Sequence, residues 1–298
     1  MNNMEYIKDL RTGATISQSA KLYKTHDILD YTTDYELGYL DILNLTLALK
    51  IISEFYDVPA TVFVKNNSLT SVALGTSVFD SFSKAIDCNP IDSVSGVVSF
   101  SKEPDLDIVK SLTPQHLVIA PNFSDDAKEY LKNNEIRFVI LNTELKDYKR
   151  YLIEEAVITP FGTIIQDSNK SELDKDKFKV VSKTKPTVEQ IEDAIFAWKI
   201  SKYLKSSSII VAKNFQTFGV SQSLQSRAVE YALDLACDNA KEAVIASDVP
   251  INVHDLNVII QDRISLVIQP GVTPDVLRLA DKYGIAMIST GISNFSVH

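Results

Sequence analysis

The feature that most constrains the fold is a regular alternation of helical segments with short apolar strands, which occurs twice along the chain. The predicted strands are ATVFVK, GVVSFS, LVIAP and RFVILN in the first half, and IIVAKN, AVIASD, LVIQP and IAMIST in the second. Short β-branched runs of this kind are typical of sheets that helices cover on both faces. The chain is therefore predicted to be an α/β protein with mostly parallel sheets and right-handed crossovers.

Equivalent positions of the two halves are separated by a nearly constant number of residues. Lys65 and Lys213 are 148 residues apart, and Pro121 and Pro270 are 149 apart. A constant offset of this size indicates an internal duplication of two helix-strand units. The predicted organisation is an N-terminal arm (1–38), a first α/β unit (39–147), a linker (148–186) and a second α/β unit (187–298). The charge run SNKSELDKDKFK in the linker is interpreted as a solvated loop.

Charge and cysteine content exclude several classes of function. The net charge of -9 disfavours a nucleic-acid partner and an anionic membrane surface, although a local positive pocket could still bind a small phosphorylated substrate. Cys88 and Cys237 are too few for a secreted disulfide framework, and no Cys/His cluster has metal-ligand spacing. The N-terminus has no apolar core for a signal peptide, and no run approaches a membrane span. A cytoplasmic location is expected.

A functional site is predicted in the segment from Phe196 to Arg227. A buried strand over 209–212 stops at Lys213, and a loop with Gly219 and three serines leads into a helix that carries Arg227. An exposed helix N-terminus beside a cation is a natural anion site. The alternative is an ordinary strand-to-helix connection with a surface arginine.

Four motifs in this segment carry a resemblance to a known family. FAWK, KSSS, AKN and QSR resemble the Phe-x-Trp-Lys, Lys-Ser-Asn, Ala-Lys-Asn and Met-Ser-Arg series of one domain of a bifunctional purine-biosynthesis enzyme. That domain is the transformylase that formylates aminoimidazole carboxamide ribonucleotide (AICAR). The likeness runs from about Leu10 to His298. It starts where the family's transformylase begins, so the cyclohydrolase domain that precedes it is expected to be missing.

The resemblance implies a fold, a donor and an assembly. It implies two cytidine-deaminase-like units, formyl transfer from 10-formyltetrahydrofolate to a nucleotide substrate, and a homodimer whose sites are built between subunits. The deaminase zinc signature is absent from the sequence, so no metal is expected.

Two positions near the middle of the first half correspond to the family's catalytic motif. The family has Lys-His-x-Asn-Pro-Cys-Gly after a strand, and this chain keeps Lys65 but has Asn66 in place of the histidine. Asn66 can hold a carboxamide by hydrogen bonds, yet it has no titratable group for proton transfer. Lys65 stands at the carboxyl end of a strand, where open α/β sheets bind ligands. The alternative is a lysine that only caps this edge.

Other matched positions are assigned to the substrate. The arm segment RTGATISQ keeps the arginine, the first glycine and the last glutamine of the family's Arg-Tyr-Gly-Glu-Asn-Pro-His-Gln. The resemblance implies that Arg11 holds the nucleotide phosphate, which suits a planar cation with five donors. It also assigns Arg227 to the phosphate and Ser207 to substrate binding. Residues 92–96, DSVSG, stand where the family has Ser-Ala-Phe-Gly-Gly, and Gly96 is likewise assigned to substrate binding.

The folate and C-terminal motifs are the most eroded. Asp248 and Asp255 match the ends of the family's Asp-Ala-Phe-Phe-Pro-Phe-Arg-Asp loop and are assigned to the folate, whereas its phenylalanines are lost. His298 matches the last residue of Arg-His-Phe-Arg-His, which implies a catalytic role; a frayed C-terminal histidine is the alternative. A second phosphate arginine of that motif is lost.

The chain thus keeps the family's motifs that build the fold, and it differs from the family at many positions of the motifs that form the site. Three functions are compatible with this pattern. The first is a stand-alone formyltransferase acting on AICAR or a related aminoimidazole, with weak or altered activity. The second is an enzyme that uses the same scaffold for another substrate. The third is a catalytically silent binding or partner protein.

Overall fold

The computed structural model describes residues 5–173 and 178–297. The strands are β1 (Glu5–Asp9), β2 (Lys21–Lys24), β3 (Tyr31–Thr32), β4 (Ala60–Lys65), β5 (Ser68–Leu74), β6 (Gly96–Phe100), β7 (His116–Ala120), β8 (Arg137–Leu141), β9 (Glu154–Thr159), β10 (Gly162–Asp167), β11 (Lys179–Val180), β12 (Ser208–Lys213), β13 (Gln216–Gln222), β14 (Val244–Ser247), β15 (Leu266–Gln269) and β16 (Ala286–Ser289). The helices are α1 (Tyr39–Ile52), α2 (Val78–Cys88), α3 (Leu106–Lys110), α4 (Asp125–Asn133), α5 (Val188–Ser201), α6 (Gln225–Ala236), α7 (Val253–Gln261) and α8 (Pro274–Tyr283). Short 3₁₀ turns cover Ser53–Phe55, Asp92–Val94, Leu145–Tyr151 and Cys237–Ala240.

The chain divides into two compact units. Unit 1 comprises Met1–Ser68, Thr76–Phe82 and Ile91–Lys170, and unit 2 comprises Leu69–Gly75, Ser83–Pro90 and Ser171–His298. The arm and domain boundaries predicted from the sequence differ from this division and stay a prediction.

Unit 1 contains strands in the order β4-β6-β7-β8-β3. β4 pairs with β6 in the antiparallel sense, while the β6-β7 and β7-β8 pairs are parallel. The apolar helix α1 packs on β4 and β6. Because all five residues of β7 and the first five of β4 are buried, the centre of this sheet excludes water from both faces.

Unit 2 contains strands in the order β11-β16-β15-β14-β12-β13-β5. β12 is antiparallel to β14, and the β14-β15 and β15-β16 pairs are parallel. The series β12-β14-β15-β16 therefore has the same order and directions as β4-β6-β7-β8 in unit 1. Helix α5 packs on β12 and β14, as α1 does on the corresponding strands of unit 1.

The described strands form mixed sheets, so the prediction of mostly parallel sheets is corrected. The segment Gln216–Gln222, predicted as a loop, is the strand β13 antiparallel to β12. A two-residue turn at Asn214 and Phe215, with φ of 53° and 57°, reverses the chain between them. Two consecutive positive φ angles give the tight turn that matches the twist of a hairpin. β13 was missed because its sequence QTFGVSQ is too polar for a buried run.

The segments predicted as arm and linker also contain strands. β1 and β2 pair with each other, and β3 pairs with β8 at the end of the unit 1 sheet. Within the predicted linker, β9 and β10 form a hairpin and β11 pairs with β16. Residues 174–177 of the linker's charge run lie outside the described residues. Among the described residues, the structure has no helix that is both long and apolar enough to cross a membrane.

The core of unit 2 forms between its sheet and the helices α6, α7 and α8. It is built from aliphatic side chains that are almost fully buried, among them Ile209, Val211, Ala228, Ala232, Leu256, Ile259, Val267, Val276 and Met287. Gly219 of β13 lies directly under the backbone of α6. A Cβ atom on Gly219 would lie 1.9 Å from the backbone oxygen of Ala232. This close approach requires glycine.

Candidate functional site

The strongest cluster of predicted site residues lies at the carboxyl end of β4 in unit 1. We call Lys65, Asn66, Asp92 and Gly96 the Lys65 corner. Nζ of Lys65 lies 3.3 Å from Oδ1 of Asp92, and their side chains are 34% and 51% exposed. The structure thus brings together three predicted site residues from two sequence motifs, with Asp92 as the charge partner of the lysine.

Gly96 is required by the packing of this corner. Its φ of +102° lies in the region that favours glycine, and a Cβ atom there would lie 2.5 Å from the backbone oxygen of Val64. The same atom would lie 3.3 Å from Cβ of Lys65. Antiparallel pairing of Val64 with Val97 brings these segments side by side. Gly96 therefore lets the chain approach the backbone that carries Lys65.

Asn66 occupies the exposed turn that follows β4. Asn66 and Asn67 have φ of 53° and 54°, a left-handed conformation that asparagine adopts more readily than most residues. The backbone N–H of Asn67 donates to Oδ1 of Asn44 at 2.6 Å. Asn44 lies on α1 and is only 8% exposed. A buried amide therefore holds the turn that presents Asn66.

The corresponding turn of unit 2 is held in a similar way. The carboxylate of Asp193 on α5 accepts the backbone N–H groups of Asn214 at 2.9 Å and Phe215 at 2.7 Å. Burial raises the pKa of Asp193, and these two hydrogen bonds oppose the shift. Lys213 precedes this turn as Lys65 precedes the other, and its Nζ lies 3.8 Å from Glu242.

Arg11 lies in the N-terminal part of unit 1, where it shares a carboxylate with a second arginine. Its guanidinium is 3.6 Å from Oδ2 of Asp41, and that of Arg137 is 2.8 Å from the same oxygen. Two cations on one carboxylate leave a local excess of positive charge. The loop after Arg11 is closed by a hydrogen bond from Gly13 N to Gln18 O at 2.7 Å. The three residues kept from the arm motif thus form one compact loop.

Ser207 and Asp248 lie together in unit 2 at the start of β12. Asp248 is fully buried; its Oδ1 accepts the N–H of Ser208 at 2.8 Å, and its Oδ2 accepts the hydroxyl of Ser206. The backbone of Ser207 exchanges hydrogen bonds with Ser223 at 3.1 and 3.2 Å. Burial raises the pKa of Asp248, and its hydrogen bonds with Ser206 and Ser208 oppose the shift. The carboxylate therefore organises the serine segment.

The remaining predicted residues are spread over unit 2. Asp255 is 2% exposed and belongs to the N-terminal cap of α7, where it exchanges hydrogen bonds with Asn252. Burial raises the pKa of Asp255, while the nearby His254 lowers it. Arg227 lies exposed in the first turn of α6. His298 lies outside the described residues. Among the residues that the structure describes, no group of His, Cys, Asp and Glu side chains could hold a metal ion.

The residue that sequence analysis missed most clearly is Asn44. The sequence could have indicated this role, because Asn44 is a single amide between Leu43 and Leu45 in a helix made almost entirely of apolar residues. A buried amide in such a helix needs a hydrogen-bond partner, and here that partner is the turn after β4. At the Lys65 corner the chain offers a cation, its carboxylate partner and the amide of an exposed asparagine, which can hydrogen-bond to a polar planar ligand.

Comparison with known proteins gives a consistent result over most of the chain. Residues 1–239 match the sequence model described as the AICARFT/IMPCHase bienzyme. The bifunctional purine biosynthesis protein PurH of Anoxybacillus flavithermus is 34% identical over 269 residues, which are 87% of this chain and 52% of the relative. PurH of Caldicellulosiruptor saccharolyticus is 31% identical over 310 residues, covering 98% of this chain and 60% of the relative.

A solved structure also overlaps part of the chain. RibD of Acinetobacter baumannii, form 2, has a TM-score of 0.25 and 15% identity, and the match covers 33% of each chain. This overlap is too weak to support an argument about fold or function.

Proposed function

The chain belongs to the AICARFT/IMPCHase bienzyme family, and from this premise we propose that it is a formyltransferase of purine biosynthesis. The reaction is the transfer of a formyl group from 10-formyltetrahydrofolate to the amino group of AICAR or a related aminoimidazole nucleotide. The chain spans about half the length of the curated relatives it matches, 52% of one and 60% of another. The proposed activity is the transformylase step.

The observation that carries this proposal is the Lys65 corner. Lys65, Asn66 and Gly96 come from two motifs of the transformylase family, and in the folded chain they lie at one strand end. Because β4 is antiparallel to β6, this end of β4 lies beside the amino ends of the parallel strands, so the prediction that Lys65 stands at the usual ligand-binding edge of an open α/β sheet is corrected. The matched motifs, brought together at one place, carry the proposal. A substrate carboxamide could accept hydrogen bonds from the ammonium of Lys65 and from the amide of Asn66.

The proposed reaction requires a group that accepts a proton from the amine, and Asn66 cannot supply it at the Lys65 corner. The amine nitrogen attacks the formyl carbon, the bond from that carbon to N10 of the folate breaks, and N10 leaves with a proton. The amine must lose a proton as the new carbon–nitrogen bond forms, because an aromatic amine is a poor nucleophile. Asn66 cannot accept that proton. We therefore propose weak or altered turnover on the family's substrate.

A catalytically silent binding protein is the second candidate function. It is favoured by one observation, namely that an amide occupies the family's histidine position in an exposed turn. Such a protein would bind the nucleotide without formylating it. A different substrate on the same scaffold would be compatible with the lost folate-loop phenylalanines.

We propose that the phosphate of the nucleotide lies near Arg11 or Arg227, the matched cations that are kept from the family's phosphate contacts. AICAR at 100 times its dissociation constant should stabilise the protein by about 2.7 kcal/mol in thermal unfolding. Arg227→Ala should weaken binding by about 1.5 to 3 kcal/mol, because it removes a charged hydrogen-bond donor. Isothermal titration of both proteins with AICAR measures the change directly.

Arg278→Ala is the matched control for this experiment. Arg278 is also an exposed arginine of a unit 2 helix, but it is paired with Asp275 and belongs to none of the matched motifs. Its replacement should leave the affinity unchanged. Equal affinity of the natural protein and Arg227→Ala for AICAR would show that Arg227 is not part of the site. If AICAR, folate and formyl donor all failed to stabilise the protein, nucleotide binding would be contradicted.

We propose that the folate donor binds beside the loop 248–255. Asp248 and Asp255 are buried and hydrogen-bonded within unit 2, so they would act by holding the two ends of this loop in place.

The shared strand order of the two units and their helix-held turns also support an origin by duplication of cytidine-deaminase-like units.

We also propose a homodimer, in which the β9-β10 hairpin is buried against a second copy of the chain. Every residue of β10 is exposed, and Ile158, Phe161 and Ile165 expose 71%, 102% and 60% of their surface. An isolated two-stranded hairpin is only marginally stable in water. Its exposed apolar side chains are therefore suited to a protein interface.

Ile165→Lys should convert the dimer to a monomer at low micromolar concentration, because it introduces a charge into the proposed apolar interface. Light scattering coupled to gel filtration measures the mass directly. Gln166→Lys is the control, since Gln166 is exposed on the same strand but projects from its other face. A natural protein that is already monomeric, or a dimer that Ile165→Lys leaves intact, would contradict this interface.

A further inference from the structure

His116 is a buried histidine that no site motif includes. It begins β7 and is 3% exposed. The backbone N–H of Thr113 donates to its Nδ1 at 3.0 Å, so Nδ1 is an acceptor and the proton of the neutral ring lies on Nε2. Nε2 donates to the backbone oxygen of Ser93 at 3.0 Å. Burial lowers the pKa of His116, which favours this neutral form.

The hydrogen bond to Ser93 fixes the turn that carries Asp92. Asp92–Val94 form a 3₁₀ turn, and Thr113 donates to the oxygen of Val94 at 3.4 Å. After the turn, Gly96 N donates to Gln115 O at 3.2 Å. Three hydrogen bonds thus join residues 113–116, at the start of β7, to the segment between Asp92 and Gly96. Both ends of the latter segment lie beside Lys65: Asp92 pairs with its ammonium, and a Cβ atom on Gly96 would lie 3.3 Å from its Cβ.

We propose that His116 is a positioning residue for Lys65, which it holds beside Asp92 by fixing the Ser93 carbonyl through its Nε2–H group. The ring donates to Ser93, which is not one of the four residues of the Lys65 corner. Its effect passes through the 3₁₀ turn to the Asp92 carboxylate and from there to the ammonium of Lys65. The inference rests on the proposed function only in treating Lys65 as the group that meets the substrate.

Competitive acylation of lysines by acetic anhydride, read by mass spectrometry, tests this chain of contacts without requiring turnover. Lys213 is the internal reference, because its side chain is 34% exposed, as is that of Lys65, and it ends the corresponding strand of unit 2. Asp92→Asn should raise the Lys65 to Lys213 labelling ratio by about two- to fivefold, the range for an exposed ion pair.

His116→Phe should raise the ratio by a similar factor, because phenylalanine fills the space but cannot hold the Ser93 carbonyl. His116→Gln should keep the natural ratio, since its amide nitrogen can occupy the position of Nε2 and donate to Ser93. Circular dichroism establishes which variants fold. Should His116→Phe fail to fold, His116→Asn replaces it, because its shorter amide can still accept from Thr113 but cannot reach Ser93.

Two results would overturn the inference. One is a ratio that Asp92→Asn raises and that His116→Phe, or His116→Asn in its place, leaves unchanged, which would show that Asp92 stays in place without the histidine. The other is a ratio that Asp92→Asn itself leaves unchanged, which would show that the ion pair does not shield Lys65. Neither result depends on formyl transfer, so failure of the proposed function is recognised separately, by the absence of nucleotide binding and turnover.

Discussion

Asn66→His is expected to raise formyl transfer to AICAR by a factor of about 10² to 10⁴ over the low rate of the natural sequence. The gain comes from a general base placed beside Lys65, where the amine must lose its proton. Histidine tolerates the left-handed turn, whose φ is 53° at this position, and Asn66 is exposed, so an imidazole there can titrate. Formylated product is measured by initial rates from pH 5 to pH 8, and the rate should rise as the imidazole loses its proton, near its ordinary pKa of about 6.5.

Asn67→His is the matched control for this gain. Asn67 lies in the same turn with φ of 54°, but its backbone is held by Asn44 and it precedes β5 rather than following Lys65. A histidine there should not restore the rate. Ordinary family turnover by the natural sequence would show the assignment of Asn66 to be wrong. Absence of activity in both proteins, together with absence of nucleotide binding, would favour the catalytically silent protein.

Gly219→Ala is expected to destabilise unit 2 by about 3 kcal/mol, at the upper end of ordinary overpacking. The added Cβ would lie 1.9 Å from the backbone oxygen of Ala232 and 2.8 Å from its carbonyl carbon. Backbone cannot rotate away as a flexible side chain can, so α6 must move off β13 and lose packing against the unit 2 core. For a unit of this size the midpoint of thermal unfolding should fall by roughly 10 °C.

The single tryptophan of the chain makes this effect measurable for unit 2. Trp198 lies in α5 and is 3% exposed, so its fluorescence reports the unfolding of the unit that contains Gly219. Gly271→Ala is the control, because a Cβ on Gly271 meets nothing within 4 Å. Its midpoint should stay within about 2 °C of the natural protein. Equal midpoints for the two alanine variants would contradict the close approach of α6 to β13.

Several parts of the fold could be predicted because their signals are local. The strand IIVAKN is observed as β12, and the apolar helix that begins at Tyr39 is observed as α1. The order of strands after each hairpin also follows from short βαβ connections. The hairpins were not predicted, since β13 carries no continuous apolar run and its partner is fixed by a two-residue turn at positive φ.

In the candidate site too, some features follow from the order of residues and others only from contacts made in the folded chain. The sequence by itself determined the family, the helix-strand alternation and the identity of Lys65, Asn66 and Gly96 as matched motif positions, because these depend on residue order alone. Only the tertiary structure decided that Asp92 pairs with Lys65, that Asn44 holds the Asn66 turn, and that His116 anchors the turn of Asp92. These contacts join residues far apart in sequence, and they depend on strand register and on the burial of polar groups that must find a hydrogen-bond partner.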